Sequence, residues 1–132
     1  MFVGTEWLVD AAECDSDSLC NVVTLRSLLK RVIAELDLKA IGDIVLHQFP
    51  SPGGITAFVL LTESHLTCHT YPEFGIATFN LYCCRTRPEW QWKDRLAEAL
   101  GAGIVNIRKM EREIDSFDVR LQTTAAGQRS ER

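Results

Sequence analysis

The side chains best able to take part in reactions are concentrated in one stretch, residues 62–84. It holds two of the three histidines and three of the five cysteines of the chain. The candidate groups are Ser64, His65, Cys68, His69, Cys83 and Cys84. Hydroxyls and thiols can act as nucleophiles, and an imidazole exchanges protons near neutral pH. Any covalent chemistry is therefore expected to take place in this stretch.

Residue types and spacing alone leave three interpretations of the stretch open. One is a metal site, although the spacing matches no common zinc pattern, and Cys83 and Cys84 would point to opposite faces of a strand. Another is a serine or cysteine nucleophile served by His69, although no nucleophile elbow or protease signature is present. The third is structural, with Ser64 and the histidines hydrogen-bonding the backbone of a tight turn.

Hydrophobic periodicity predicts the elements that position this stretch. Residues 24–37 carry apolar side chains at three- and four-residue steps, as one face of a helix does, with Thr24 as the N-cap. A second helix is expected from Pro88 to Gly101, because proline suits a first helical turn and glycine suits a helix end. Strands are predicted over residues 5–12, 43–49, 55–63, 76–84 and 103–111.

The order of these elements, βαβββαβ, predicts an α+β fold in which an antiparallel sheet carries two helices on one face. Residues 50–54 are expected to close a hairpin, and residues 65–75 to be irregular. One domain is expected over residues 1–113, followed by an extension over residues 114–132 that is mobile toward its end. A sheet covered on one side leaves its other face open to solvent, to a substrate or to a second copy of the chain.

Composition is typical of a soluble globular protein. Of the 132 residues, 46% are hydrophobic and 24% are charged, and the formal net charge is −4. The basic residues form no run, which predicts no nucleic-acid binding, and no apolar stretch is long enough to span a membrane. The beginning of the sequence does not have the layout of an export signal, so the five cysteines are expected to be reduced thiols in a cytoplasmic protein.

Residues 63–73 read Glu-Ser-His-Leu-Thr-Cys-His-Thr-Tyr-Pro-Glu. This run closely resembles the self-cleavage motif of the prokaryotic S-adenosylmethionine decarboxylases, which is Glu-Ser-His, three variable residues, then His-Thr-Trp-Pro-Glu. Upstream, His47-x-Phe49 and residues 54–56 resemble the hairpin of that family. Downstream, residues 75–84 resemble the strand that ends in its catalytic cysteine. The resemblance covers roughly residues 4–110.

The resemblance implies a proenzyme that cuts its own Glu63–Ser64 bond into chains of residues 1–63 and 64–132. Ser64 would attack the Glu63 carbonyl, and His69 would remove the serine α-hydrogen. Ser64 would thereby become a pyruvoyl group, the cofactor, which forms a Schiff base with the substrate. Cys84 matches the proton donor of the family and falls on the mixed face of its strand, whereas Cys83 falls on the apolar face. No metal is implied.

The resemblance also implies four substrate contacts. Phe49 and Tyr71 match aromatic positions whose ring faces can hold adenine or attract a sulfonium, and Glu73 matches the carboxylate that binds the ribose hydroxyls. Leu66 is a further candidate for the same wall. The implied enzyme is a carboxy-lyase that supplies decarboxylated S-adenosylmethionine for spermidine synthesis, and a homodimer is expected.

Three substitutions keep alternatives open. Trp7 stands where the family usually carries a histidine in the first strand, Asn80 stands where it usually carries an aspartate, and Tyr71 replaces a tryptophan. Removing a negative charge beside the reaction centre can change which cationic substrate is preferred. The alternatives are a pyruvoyl-dependent decarboxylase of ornithine or arginine, and a non-catalytic homologue that acts as a binding subunit.

Overall fold

The computed structural model describes residues 1–115, so nearly all of the predicted extension, residues 114–132, lies outside the described part. Within residues 1–115 there are six β-strands, three α-helices and one 3-10 turn. In chain order they are β1 (Phe2–Ala12), α1 (Ser16–Leu19), α2 (Val22–Glu35), β2 (Val45–Gln48), β3 (Ile55–Leu61), β4 (Ser64–Tyr71), the 3-10 turn (Pro72–Phe74), β5 (Ile76–Cys83), α3 (Trp92–Leu100) and β6 (Ile104–Glu113). None of these helices is long and apolar enough to cross a bilayer.

Over the described residues, the strands form one sheet in the order β2-β3-β4-β5-β1-β6, and every neighbouring pair is antiparallel. Alternate side chains of each strand point to the same face, and one face is buried in the core. The helices cover that face with side chains that belong to the same core cluster: Leu19, Leu25, Leu28, Leu29, Val32, Trp92, Leu96 and Leu100. This arrangement confirms the predicted α+β fold with helices on one face of an antiparallel sheet.

The predicted number of strands was wrong, because residues expected to be irregular form strand β4. This strand pairs with β5 along its whole length and with β3 from Ser64 to His69. Its core-facing residues Leu66, Cys68 and Thr70 are buried, and they alternate with polar residues. Only one strongly apolar residue, Leu66, marks the inner face, so the period-two pattern was not recognised.

The helix boundaries also differ from the prediction. Asn21 caps α2, since its Oδ1 accepts a hydrogen bond of 3.1 Å from the backbone N–H of Thr24. Thr24 therefore lies in the first turn and is not the cap. Helix α3 begins at Trp92 instead of Pro88, but it ends as predicted at Gly101, which adopts the left-handed conformation with φ of 67°. The short helix α1 lies between the first predicted strand and the first predicted helix, where no regular element is predicted.

The sheet face opposite the helices carries exposed apolar side chains. Val45, Phe58, Leu60 and Met110 all lie on this open face by strand register, and they are 39–67% exposed. An exposed apolar sheet face of this kind is typical of a binding surface.

Candidate active site

Ser64 is the first residue of β4 and follows a tight turn formed by Thr62 and Glu63. Leu61 and Ser64 pair directly across this turn, which closes the β3–β4 hairpin. The backbone N–H of Thr62 donates to the carbonyl of Lys39 at 2.9 Å, so a neighbouring segment anchors the turn. The Glu63–Ser64 bond thus lies where a tight, anchored turn enters a paired strand.

The Ser64 hydroxyl is buried and has no hydrogen-bond partner among the described residues. Strand register places Ser64 directly opposite Cys83, on the core face of the sheet. A thiol is only a weak hydrogen-bonding group, and leaving a buried hydroxyl unsatisfied costs about 1–3 kcal/mol. Such a group requires an explanation, and a reactive role is one.

The side chain of Glu63 is held by two arginines. Its carboxylate accepts a hydrogen bond of 2.7 Å from Arg87 Nη2 and forms a second ion pair with Arg85 Nε at 3.2 Å. The hydrogen bond to Glu63 raises the pKa of the Arg87 guanidinium, which is a cation at every relevant pH. Neither arginine is predicted from the sequence, because neither lies in the motif and no sequence pattern indicates that they lie beside the turn.

The two adjacent cysteines have different environments. Cys83 is fully buried on the core face, as predicted, and burial raises the pKa of its thiol, while the Ser64 hydroxyl acts in the opposite direction. Cys84 follows the end of β5 and is exposed. Burial also raises the pKa of the Cys68 thiol well above its usual range, which makes Cys68 an inert core residue.

A cleft of about 280 Å³ lies at the other end of β4. Four of the side chains that line it are site candidates from the sequence: Phe49, His69, Tyr71 and Glu73. His69 Nδ1 lies 3.1 Å from the Thr56 hydroxyl, within hydrogen-bonding distance. The structure therefore brings three of the four expected substrate contacts together with His69.

The fourth expected contact, Leu66, is not part of this cleft. It lies on the core face of β4 and is 0% exposed. Because the substrate side of the sheet must be reachable from solvent, the buried position of Leu66 favours a packing role.

Ser64 is far from the cleft within one chain. Ser64 and Tyr71 are the first and last residues of β4. At about 3.3 Å per residue, they are separated by roughly 23 Å, and Ser64 and His69 by roughly 17 Å along the strand. His69 also belongs to the open face, whereas Ser64 belongs to the core face. A single chain does not assemble all the predicted catalytic residues.

The open face beside Ser64 carries a row of stacked rings. The ring of His65 lies 6.3 Å from that of Phe58 and 5.8 Å from that of Tyr82, and the Arg112 guanidinium lies 5.5 Å from the Tyr82 ring. Gly4 makes room for this row, because a Cβ at that position would collide with the Tyr82 ring. The role of His65, which the motif leaves undecided, includes packing within this row.

Asn80 also lies on the open face, and its amide donates to the Glu6 carboxylate at 3.4 Å. A negative charge therefore remains near this position, although the strand residue itself is neutral. Among residues 1–115, the histidine, cysteine and carboxylate side chains form no group of three or more that could hold a metal ion.

The chain is similar in sequence to several known proteins. The sequence model of a family described as S-adenosylmethionine decarboxylase matches residues 5–113. The S-adenosylmethionine decarboxylase proenzyme of Caldicellulosiruptor saccharolyticus is 32% identical over 114 residues, which cover 83% of this chain and 88% of that protein. The proenzyme of Thermotoga maritima is 32% identical over 111 residues, with 83% and 84% coverage.

A solved structure shows the same fold. The crystal structure of the adenosylmethionine decarboxylase from Aquifex aeolicus aligns with a TM-score of 0.74 and 30% sequence identity, covering 87% of this chain and 94% of that one. The family match extends from β1 to the end of β6, so it includes the turn formed by Thr62 and Glu63, the cleft, and the adjacent Cys83 and Cys84. The chain belongs to the S-adenosylmethionine decarboxylase family.

Proposed function

We propose that this chain is a pyruvoyl-dependent S-adenosylmethionine decarboxylase, made as a proenzyme that cuts itself between Glu63 and Ser64. The observation that carries the proposal is the Ser64 hydroxyl, which is buried beside a tight turn without a hydrogen-bond partner among the described residues. This hydroxyl can turn toward the carbonyl that precedes it without losing any hydrogen bond stronger than its weak contact with the Cys83 thiol. The relatives are named proenzymes, which supports a maturation step of this kind.

The proposed cleavage consumes one water and releases one ammonia. Ser64 Oγ attacks the Glu63 carbonyl carbon, and the peptide bond gives way to an ester with a free Ser64 amine. Removal of the Ser64 α-hydrogen by a base expels the Glu63 carboxylate and leaves a dehydroalanine. Hydrolysis of its imine tautomer consumes water, releases ammonia and leaves the pyruvoyl group at the new chain end. An imidazole is suited to remove the proton, which supports a role for His69.

The residues present fit the pyruvoyl group. Ser64 is the first residue of β4, so the second chain would begin with the group formed from it. Once formed, this group supplies the electron sink for decarboxylation. Phe49, Tyr71 and Glu73 bind and orient the substrate in the cleft. A thiol must then return a proton to the product, and the exposed Cys84 can reach solvent and substrate as the buried Cys83 cannot.

The proposed cleavage predicts two fragments in the mature protein. Ser64→Ala should stay uncut, because no hydroxyl remains to attack, whereas Ser27→Ala, a matched change on the exposed side of α2, should be cut normally. Intact-mass analysis provides the measurement. The summed mass of the two fragments should exceed the mass of the precursor by the mass of one water minus the mass of one ammonia. The larger fragment should lack an α-amine. A wild-type chain that stays whole after long incubation would contradict the proposal.

Cys83 and Cys84 should differ in function. Cys84→Ala is expected to be cut at least partly but to release CO2 poorly, while Cys83→Ala should lose stability and little chemistry. Because burial raises the pKa of Cys83, its thiolate fraction at neutral pH is smaller than that of an ordinary thiol, and iodoacetamide should label it more slowly than Cys84. Peptide mass spectrometry of the labelled protein provides the check. The reverse order of labelling, with the reverse mutant phenotypes, would move the proton donor to Cys83.

Substrate choice should depend on Glu73. A hydrogen bond to a charged group contributes about 1.5–3 kcal/mol, so Glu73→Gln should lower CO2 release from S-adenosylmethionine about tenfold or more while self-cleavage continues. Glu89→Gln changes an exposed carboxylate outside the cleft and serves as the control. Wild-type protein that releases CO2 from ornithine or arginine, but not from S-adenosylmethionine, would overturn the substrate assignment and leave the pyruvoyl chemistry standing. Cleavage without CO2 from any of the three would favour the non-catalytic alternative.

We further propose a homodimer in which the open face or an edge of the sheet meets a second copy. Two observations support this arrangement: the exposed apolar side chains of the open face, and the separation of Ser64 from the cleft along β4. If the open faces meet about a two-fold axis perpendicular to β4, the two β4 strands run in opposite directions, which places the Ser64 end of each strand near the His69 end and the cleft of the other copy.

Complementation between two variant chains tests the dimer. His69→Ala and Ser64→Ala should each stay uncut when expressed alone. When the two are expressed together, the His69→Ala chain should be cut, because the other copy provides the intact His69. Light scattering should give the dimer mass. A monomer mass at micromolar concentration, or no cleavage of the mixed pair, would remove this part of the proposal.

A further inference from the structure

The Glu63 carboxylate lies between two guanidinium groups that the cleavage chemistry does not itself require. Arg87 is the closer partner, at 2.7 Å, and its side chain is 21% exposed; Arg85 lies at 3.2 Å and is 77% exposed. Glu63 itself is 20% exposed. Ion pairs of exposed side chains contribute little, so the contact with Arg87 is the stronger constraint on Glu63.

Arg87 also connects the cleavage turn to the helical layer. Its Nη1 donates a long hydrogen bond of 3.4 Å to the carbonyl of Leu36, the C-cap of α2. Its Nε is buried and has no hydrogen-bond partner among the described residues. The planar guanidinium therefore spans the space between the end of a helix and the turn that carries the Glu63 carbonyl.

Self-cleavage makes a strict geometric demand on this turn. The Ser64 oxygen must approach the Glu63 carbonyl carbon to about 3–3.5 Å along a suitable direction before the bond can form. Strand pairing with Cys83 fixes Ser64, but it leaves Glu63 outside the ladder. A side chain that is clamped at its far end restricts the backbone rotations of its own residue.

We propose that Arg87, with Arg85 in a lesser role, positions Glu63 for self-cleavage by holding its side-chain carboxylate. Arg87 is a positioning residue in this scheme, since it acts on the reacting carbonyl through the Glu63 side chain. The inference rests on the proposed cleavage at Glu63–Ser64. Cleavage there would leave Glu63 and the two arginines on different chains, so the ion pairs would then join the two products.

The test follows cleavage of freshly synthesised precursor over time, with and without hydroxylamine. Hydroxylamine cuts the ester directly, so it reports ester formation apart from the later elimination. The variants are Arg87→Gln, Arg87→Lys, Glu63→Gln and the double variant Glu63→Gln/Arg87→Gln. Arg31→Gln is the matched control, because Arg31 also pairs with carboxylates, at 2.9 and 3.0 Å, but on the helical layer. Each variant is also made in a Ser64→Ala background, and its thermal melting shows whether the variant protein folds.

Arg87→Gln and Glu63→Gln should each slow cleavage about tenfold, with and without hydroxylamine. The double variant should be no slower than the slower single variant, since the two changes remove the same contact. Arg87→Lys should be intermediate, because lysine keeps the charge but loses the planar fork. Arg31→Gln should be cut at the wild-type rate. Should Arg87→Gln not fold, Arg87→Lys and Glu63→Gln still provide the comparison.

Three results would overturn the inference. Arg87→Gln could be cut within twofold of the wild-type rate, the effects of the single changes could simply multiply, or hydroxylamine could restore a normal rate and so place the defect after ester formation. Each of these results leaves the proposed function intact, provided that the wild type is cut at Glu63–Ser64. A wild type that is cut elsewhere, or not at all, would instead remove the proposed function.

Discussion

The pairing of β4 between β3 and β5 is the constraint on which the rest of the site depends. A paired strand turns successive side chains to opposite faces, so pairing decides which residues of the motif are buried and which face outward. Ser64 falls on the core face opposite Cys83, while His69 and Tyr71 fall on the open face. The same strand also holds these groups apart, because its length lies between Ser64 and the cleft.

Burial of Ser64 has a cost that the surrounding structure must offset. The hydroxyl has no hydrogen-bond partner among residues 1–115, but the turn beside it is held by the Lys39 carbonyl and by the two arginines. A reactive group can remain unsatisfied only where its neighbours leave it no easy alternative.

Much of the fold could be predicted, and the failures have physical causes. Helix α2 was recognised because its inner face repeats apolar residues over several turns, and Gly101 marked the end of α3 because glycine accepts the left-handed conformation. Strand β4 was missed because its pairing on both sides stabilises it, not its own composition. The cap of α2 was misplaced because Asn21 and Thr24 are both acceptable caps, and only backbone geometry distinguishes them.

The sequence by itself determined the family and the strand phase of β5. The resemblance of residues 63–73 to the family motif identified the family, and the alternation of apolar residues along β5 placed Cys83 in the core. Tertiary structure alone decided that Arg87 reaches Glu63, that Leu66 is buried, and that Ser64 and the cleft stand at opposite ends of one strand. The reason is physical: local periodicity reports which face a residue prefers, whereas the distance between two groups depends on strand pairing between segments that are remote in sequence.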